Sequence, residues 1–309
     1  MLLTICHATT YTYVRPVALL PHRLRLRPRD THQLTTISAS LECTPSADLE
    51  WTQDVFGNLI ATATFSAGAA TLTVISRLVV DQRASDWPLF PIAPHAHQYP
   101  FDYSADERSD LGSLLTPEPD PQGRVRAWGS ALIAANPTDT LSLLQDLNAA
   151  VASGISYVER AEEGTQSALE TLDAGTGTCR DLATLFIEAA RLLGFGARAV
   201  SGYLFDPSGS GVPAQHGATH AWAEVYLPGA GWIAFDPTQN RMGEANLVPV
   251  AVARSITQIQ PIEGRFLGSA EDGCTMTVEV WVTAETARNG DTAEPASGEV
   301  DQCEARSRS

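Results

Sequence analysis

The chain has 309 residues, 44% apolar and 18% charged, with 20 Lys and Arg against 36 Asp and Glu and a net charge of −16. That is ordinary globular composition with enough apolar content to bury a core. The acidity argues against nucleic acid as a partner, because a phosphate backbone repels it.

The N-terminus, MLLTICHATTYTY, has no basic segment and too short an apolar run for a signal peptide. No apolar stretch reaches about 18 residues, so no spanning helix and no membrane partner are expected. Five cysteines, Cys6, Cys43, Cys179, Cys274 and Cys303, are widely spaced with no CxxC pair. They read as free thiols in a reducing compartment, and the expected location is cytoplasmic.

Residues 1–83 read as an N-terminal all-β domain. TYTYV alternates, DVFGNLIATATF carries Gly57-Asn58 at a hairpin-like turn, and ATLTVISRLVV is a β-branched run. HRLRLRPR alternates with period two, which puts Arg23, Arg25 and Arg27 on one strand face. That face is either solvated or paired with carboxylates, its own or those of an acidic partner. Residues 84–126 are rich in Pro and Asp and read as a connector, because Pro removes ladder donors and breaks helices. His95 and His97 form an H-x-H pair without a third ligand nearby, so no metal is expected there.

From residue 127 the period becomes helical, and 127–283 reads as a second domain. Asp139 or Thr138 can cap a helix after Pro137. CRDLATLFIEAARLLGFG carries an apolar stripe of Leu182, Leu185, Phe186, Ala189 and Leu193, with Gly194 as a stop. Strands follow over ARAVSGYLF, THAWAEVYLP and GWIAFDPT, with a last one over 274–282. Residues 284–309 are polar without apolar period and read as a disordered tail that includes Cys303.

The chemistry concentrates at GTGTCRD, residues 175–181. With Thr178 as N-cap, Cys179 is the first helical residue, where the helix dipole favours a thiolate. Asp181 opposes this slightly, since a carboxylate disfavours a nearby thiolate. A buried structural cysteine is the alternative. In the strand THAWAEVYLP, His220, Trp222, Glu224 and Tyr226 share one face and Ala221, Ala223, Val225 and Leu227 the other. If Tyr226 pairs with Trp232, Asp236 faces Trp222 and lies diagonal to His220, roughly 7–8 Å away at Cα, within side-chain reach. An even-length loop would put Asp236 on the wrong side. A cysteine at a helix start, a histidine in one strand and an aspartate in the next make a nucleophile, a base and an orienting group.

The stretches GTCRDLATLFIEAARLLGFGARAVSGYLF and THAWAEVYLPGAGWIAFDPTQN resemble the core of the transglutaminase-like superfamily, and LRLRPRD and DVFGN resemble the N-terminal β domain of its bacterial members. The resemblance implies an α+β fold: an N-terminal all-β domain, then a papain-like core in which a helix bearing Cys packs on an antiparallel sheet bearing His and Asp. It implies Cys179 as nucleophile, His220 as base and acid, and Asp236 as orienting group. The expected activity is that of a cysteine-dependent peptidase, amidase or acyltransferase acting through a thioacyl intermediate on a peptide or protein amide, without cofactor or metal. The alternatives are a non-catalytic binding module on the same fold, and a zinc site built from Cys, His and Asp. The Cys179 backbone N–H is a candidate oxyanion donor. Gln166 is a candidate side-chain donor, and Trp222 a candidate wall of the substrate site.

Overall fold

A computed structural model describes residues 1–160, 164–205, 217–268 and 273–284. Two compact units form: Met1–Arg83 with Leu204–Ala218 and the strands from Ile262 on, and Ala84–Tyr203 with Thr219–Pro261.

The first unit is built from two antiparallel sheets. The strand Leu2–Leu19 pairs with Ala69–Gln82, which in turn pairs with Leu34–Thr44. The smaller sheet runs Ile262–Glu263, His22–Leu24, Leu59–Phe65, Ala47–Gln53. Its hairpin turns at Asp54, whose Oδ1 accepts from the N–H groups of Phe56 and Asn58, both at 2.9 Å. Gly57 supplies the positive φ of 74° that this turn requires. Alternate residues of the strands close a core around Tyr13, Val17, Leu24, Leu26, Ala61, Leu72 and Val74.

Three expectations change here. First, the strand Cys274–Ala284 does not extend the second domain. It pairs with the first strand from Tyr13↔Cys274 to Leu3↔Ala284. Its alternation shows only that it is a strand; the partner is chosen by the unpaired edge of Leu2–Leu19. Second, the arginine ladder does not form one surface. The strand ends at Leu24, Arg25 is buried, and its guanidinium donates to Glu263 Oε2 at 3.2 Å. Arg27 lies over the Trp51 ring at 5.8 Å, and Arg23 stays exposed. Third, Cys6 is disulfide-bonded, so the thiols are not all free. The compartment argument built on free cysteines loses that support. Among the described residues no helix is long and apolar enough to cross a membrane. The expected tail, including Cys303, lies outside the described residues apart from Ala284.

The second unit contains helices α1 (Ala105–Leu111), α2 (Arg124–Ser130), α3 (Thr140–Gly154), α4 (Ala168–Ala174) and α5 (Cys179–Leu192). Its sheet runs Arg241–Met242, Gly231–Asp236, Gly217–Leu227, Gly196–Phe205, Leu247–Ala253. The Pro-rich stretch 84–126 is part of this unit instead of a bare connector. Tyr103 is buried, donates to the Tyr226 carbonyl at 2.8 Å and accepts from the Gly196 N–H at 3.0 Å. Tyr99 stacks on Phe195 with ring centroids 5.3 Å apart. Prolines restrict this backbone, while its aromatic side chains pack against the unit; composition reports only the first.

Helix α3 is capped by Asp139, whose side chain accepts from Ser142 N–H at 2.8 Å. The predicted stripe of α5 is buried, and Phe186 stacks on Phe235 of the Gly231–Asp236 strand at 5.2 Å. Removing such a ring from water stabilises the fold by about 1.5–3 kcal/mol. Gly194 follows the helix at φ 96°, a conformation that leaves a side chain strained.

Candidate active site

Cys179 is the first residue of α5, and Thr178 holds an extended cap conformation before it. Thr178 gives both its N–H (2.8 Å) and its hydroxyl (2.9 Å) to Asp181 Oδ2. Asp181 Oδ1 accepts from the Gln166 N–H at 2.7 Å and from Arg160 at 3.3 Å. Asp181 is fully buried, and its carboxylate is engaged in tying the preceding loop to the helix start. Its charge is met by these donors, so it opposes the thiolate less than sequence proximity suggests. Gly177 is required by packing: a Cβ there would lie 2.8 Å from Asp181 Cβ.

The other two residues come from neighbouring strands. Pairing runs Tyr226↔Trp232, Glu224↔Ala234 and Ala223↔Phe235, the register an odd-length loop demands. It brings His220 Nε2 to 2.8 Å from Asp236 Oδ2. Asp236 Oδ1 is held by the N–H groups of Thr238 (2.9 Å) and Gln239 (3.2 Å). Asn148 of α3 donates to the Asn240 side chain at 3.2 Å and to the Arg241 carbonyl at 3.3 Å, bracing the turn that carries these donors. Asn148 carries no catalytic chemistry of its own, and only the fold reveals its place.

The thiol of Cys179 and the His220 imidazole lie close enough to shift each other's protonation. Since Nε2 is taken by Asp236, Nδ1 is the nitrogen left for sulfur. Burial pushes the thiol pKa up, but the His220 hydrogen bond and charge, the Ala221 N–H and the Arg180 charge outweigh it, and the thiol ends below its ordinary value. For His220, burial lowers the pKa, while the Asp236 carboxylate and the sulfur raise it further than burial lowers it. The two shifts favour one state, a thiolate beside an imidazolium.

Trp222 and Gln166 do not sit as predicted. Trp222 is fully buried, with its ring stacked on His220 at 6.1 Å and 24°, so it backs the imidazole instead of walling an open cleft. Gly202 leaves it room, since a Cβ there would lie 2.8 Å from the indole. The strand is central, so its second face is covered too, a fact that alternation along one strand does not reveal. The Gln166 amide lies 3.2 Å from Thr171 Oγ1. With its nitrogen turned toward Thr171 and the Thr176 carbonyl (3.1 Å), its oxygen meets Arg160 (3.1 Å). The amide braces the loop, with no free donor left for a substrate oxygen. His95 lies edge-on to Phe101 at 6.5 Å, and the His97 backbone carbonyl accepts from the Thr140 N–H. Among the described residues no group of three or more His, Cys, Asp and Glu is arranged to hold a metal ion.

Comparison with known proteins bears on the family and the fold. Residues 128–237 match the transglutaminase-like superfamily, and residues 3–81 match the bacterial transglutaminase-like N-terminal region. An uncharacterized protein of Mycobacterium tuberculosis is 25% identical over 279 residues, covering 87% of this chain and 88% of its own. One from Mycobacterium leprae is 26% identical over 278 residues, covering 89% and 97%. Among solved structures, a candidate cysteine protease from Cytophaga hutchinsonii superposes with a TM-score of 0.69 at 19% identity, covering 95% of this chain and 94% of its own. The chain therefore belongs to the transglutaminase-like superfamily, with an N-terminal region of the bacterial type.

Proposed function

We propose that the protein is a cysteine-dependent enzyme acting on amide bonds of a peptide or protein, with Cys179 as nucleophile, His220 as general base and acid, and Asp236 as the group that orients His220. The observation that carries this reading is the 2.8 Å bond from His220 Nε2 to Asp236, which turns the other ring nitrogen to a thiol of lowered pKa. The thiolate attacks the carbonyl carbon, a C–S bond forms, and the π pair moves to oxygen. Collapse expels the amine, which takes its proton from His220. Water or a second amine then attacks the thioester, giving hydrolysis or transamidation. The Cys179 N–H, lacking an intrahelical acceptor, is one donor to the oxyanion.

The test is labelling with iodoacetamide at pH 7, read by mass spectrometry, together with a screen of peptide cleavage and amine incorporation. Cys179 should alkylate faster than Cys43 and Cys274, and Cys179→Ala should abolish any turnover found. Equal labelling of all three thiols, or turnover that survives in Cys179→Ala, would defeat the assignment.

A further inference from the structure

The proposed chemistry needs a second donor for the oxyanion, and neither sequence-derived candidate supplies it. The Gln166 amide is spent on its loop, and the Trp222 indole is fully buried behind His220. One polar side chain within electrostatic reach of the thiol has no role so far. Tyr157 lies on a two-residue strand, Ser156–Tyr157, that pairs in parallel with Thr176–Gly177, in the register Gly177↔Tyr157. The Ser156 N–H donates to the Gly175 carbonyl at 2.8 Å, and the Val158 N–H donates to the Gly177 carbonyl at 2.9 Å. These bonds clamp Tyr157 from both sides to the segment that ends in the nucleophile. Its side chain is 51% exposed, so an incoming carbonyl can reach it, unlike Trp222.

We propose that Tyr157 is the side-chain oxyanion donor, its phenol O–H acting with the backbone N–H of Cys179. This rests on the reading of Cys179 as nucleophile. Partial burial, the charge of Cys179 and that of Glu159 raise the phenol pKa, against a smaller opposing effect of Arg180. The hydroxyl thus stays protonated beside a thiolate, as a hydrogen-bond donor must. In the addition step sulfur bonds to carbon and the π pair becomes the oxyanion. Tyr157 donates a hydrogen bond to that oxygen and keeps its proton. When the C=O bond re-forms, the leaving group departs and the phenol returns to its starting state. The residue stabilises charge that exists only after attack, so it acts on the barrier and not on thiolate formation.

The experiment uses the full chain and two probes. p-Nitrophenyl acetate acylates through a tetrahedral oxyanion, with a burst of p-nitrophenolate. Iodoacetamide alkylates the same sulfur by direct displacement, which creates no oxyanion. Tyr157→Phe should slow the burst about 100- to 1,000-fold, the range for loss of one donor. Its alkylation rate at Cys179 should stay within about twofold of the parent, showing that fold and thiolate are intact. An unchanged burst overturns the proposal, and so does an equal fall in both rates, which would mean that Tyr157 acts on the thiol or on the local structure. A full burst in Cys179→Ala removes the nucleophile reading and this proposal with it, whereas a failure confined to Tyr157→Phe leaves that reading standing.

Discussion

Cys179, His220 and Asp236 act on one another's protonation, and this sets a specific pH behaviour. The thiol is lowered and the imidazole raised, so the ion pair persists between those two values. Alkylation of Cys179 should therefore rise with pH through a midpoint below the ordinary thiol value of about 8.5. A midpoint at or above it, measured by iodoacetamide rates between acid and alkaline buffers, would contradict the pairing. Asp236→Ala removes the charge that holds His220 up. The imidazolium is then less favoured, the thiol rises, and the alkylation midpoint should move to higher pH than in the parent. Asp181, which lies closer to Cys179 in sequence, is fully buried and committed to Thr178, Gln166 and Arg160. Which of two nearby carboxylates tunes the thiol was thus decided by hydrogen-bond partners, and sequence separation misleads.

Strand and helix positions set the geometry those residues need. The odd loop between Tyr226 and Trp232 puts Asp236 on the His220 face, and Phe186 on Phe235 seats α5 against the same sheet. Behind the site, Gly202 passes close to Leu247–Ala253, where a Cβ would lie 2.1 Å from the Val248 carbonyl and 2.8 Å from Trp222. Backbone cannot yield as a flexible side-chain end can. Gly202→Ala should cost about 3 kcal/mol of stability, measured by denaturant unfolding. Because the displaced indole carries the His220 ring, the alkylation rate of Cys179 should fall as well. A variant of parental stability would show that the sheet has slack that the packing does not suggest.

Over the whole molecule, the strand order departs from chain order. The chain leaves the first unit after Arg83, builds most of the unit that contains Cys179, and from Ile262 completes two sheets of the first. Cys274–Ala284 lies along Leu2–Leu19, with Ile5↔Val282 among its pairs. Val282 is fully buried. An aspartate there would bury an unpaired charge, and Val282→Asp should destabilise the protein by about 4 kcal/mol, read from the first unfolding transition in denaturant. Were the strand an appendage of the second domain, exposed to water, the same change would be nearly neutral.

The local elements and the candidate nucleophile, base and orienting group were legible in the sequence, because each rests on short-range physics. A cap and an apolar stripe mark α5, and alternation with loop parity marks the hairpin. Partner choice was not legible, since it depends on which edges and faces remain uncovered after collapse. Alternation at 274–282 identified a strand but not its neighbour Leu2–Leu19. Arg23, Arg25 and Arg27 alternate in sequence, yet the strand stops at Leu24 and Arg25 turns inward to Glu263. Trp222, on the face that bears His220, read as a wall of the substrate site, and packing buries it fully. Tyr157 had no signal at all: it precedes Cys179 by many residues, and only the pairing of Ser156–Tyr157 with Thr176–Gly177 brings its strand beside the segment that leads into Cys179. Short-range patterns determine what each segment becomes, while long-range burial and pairing, which no local window contains, decide what it touches.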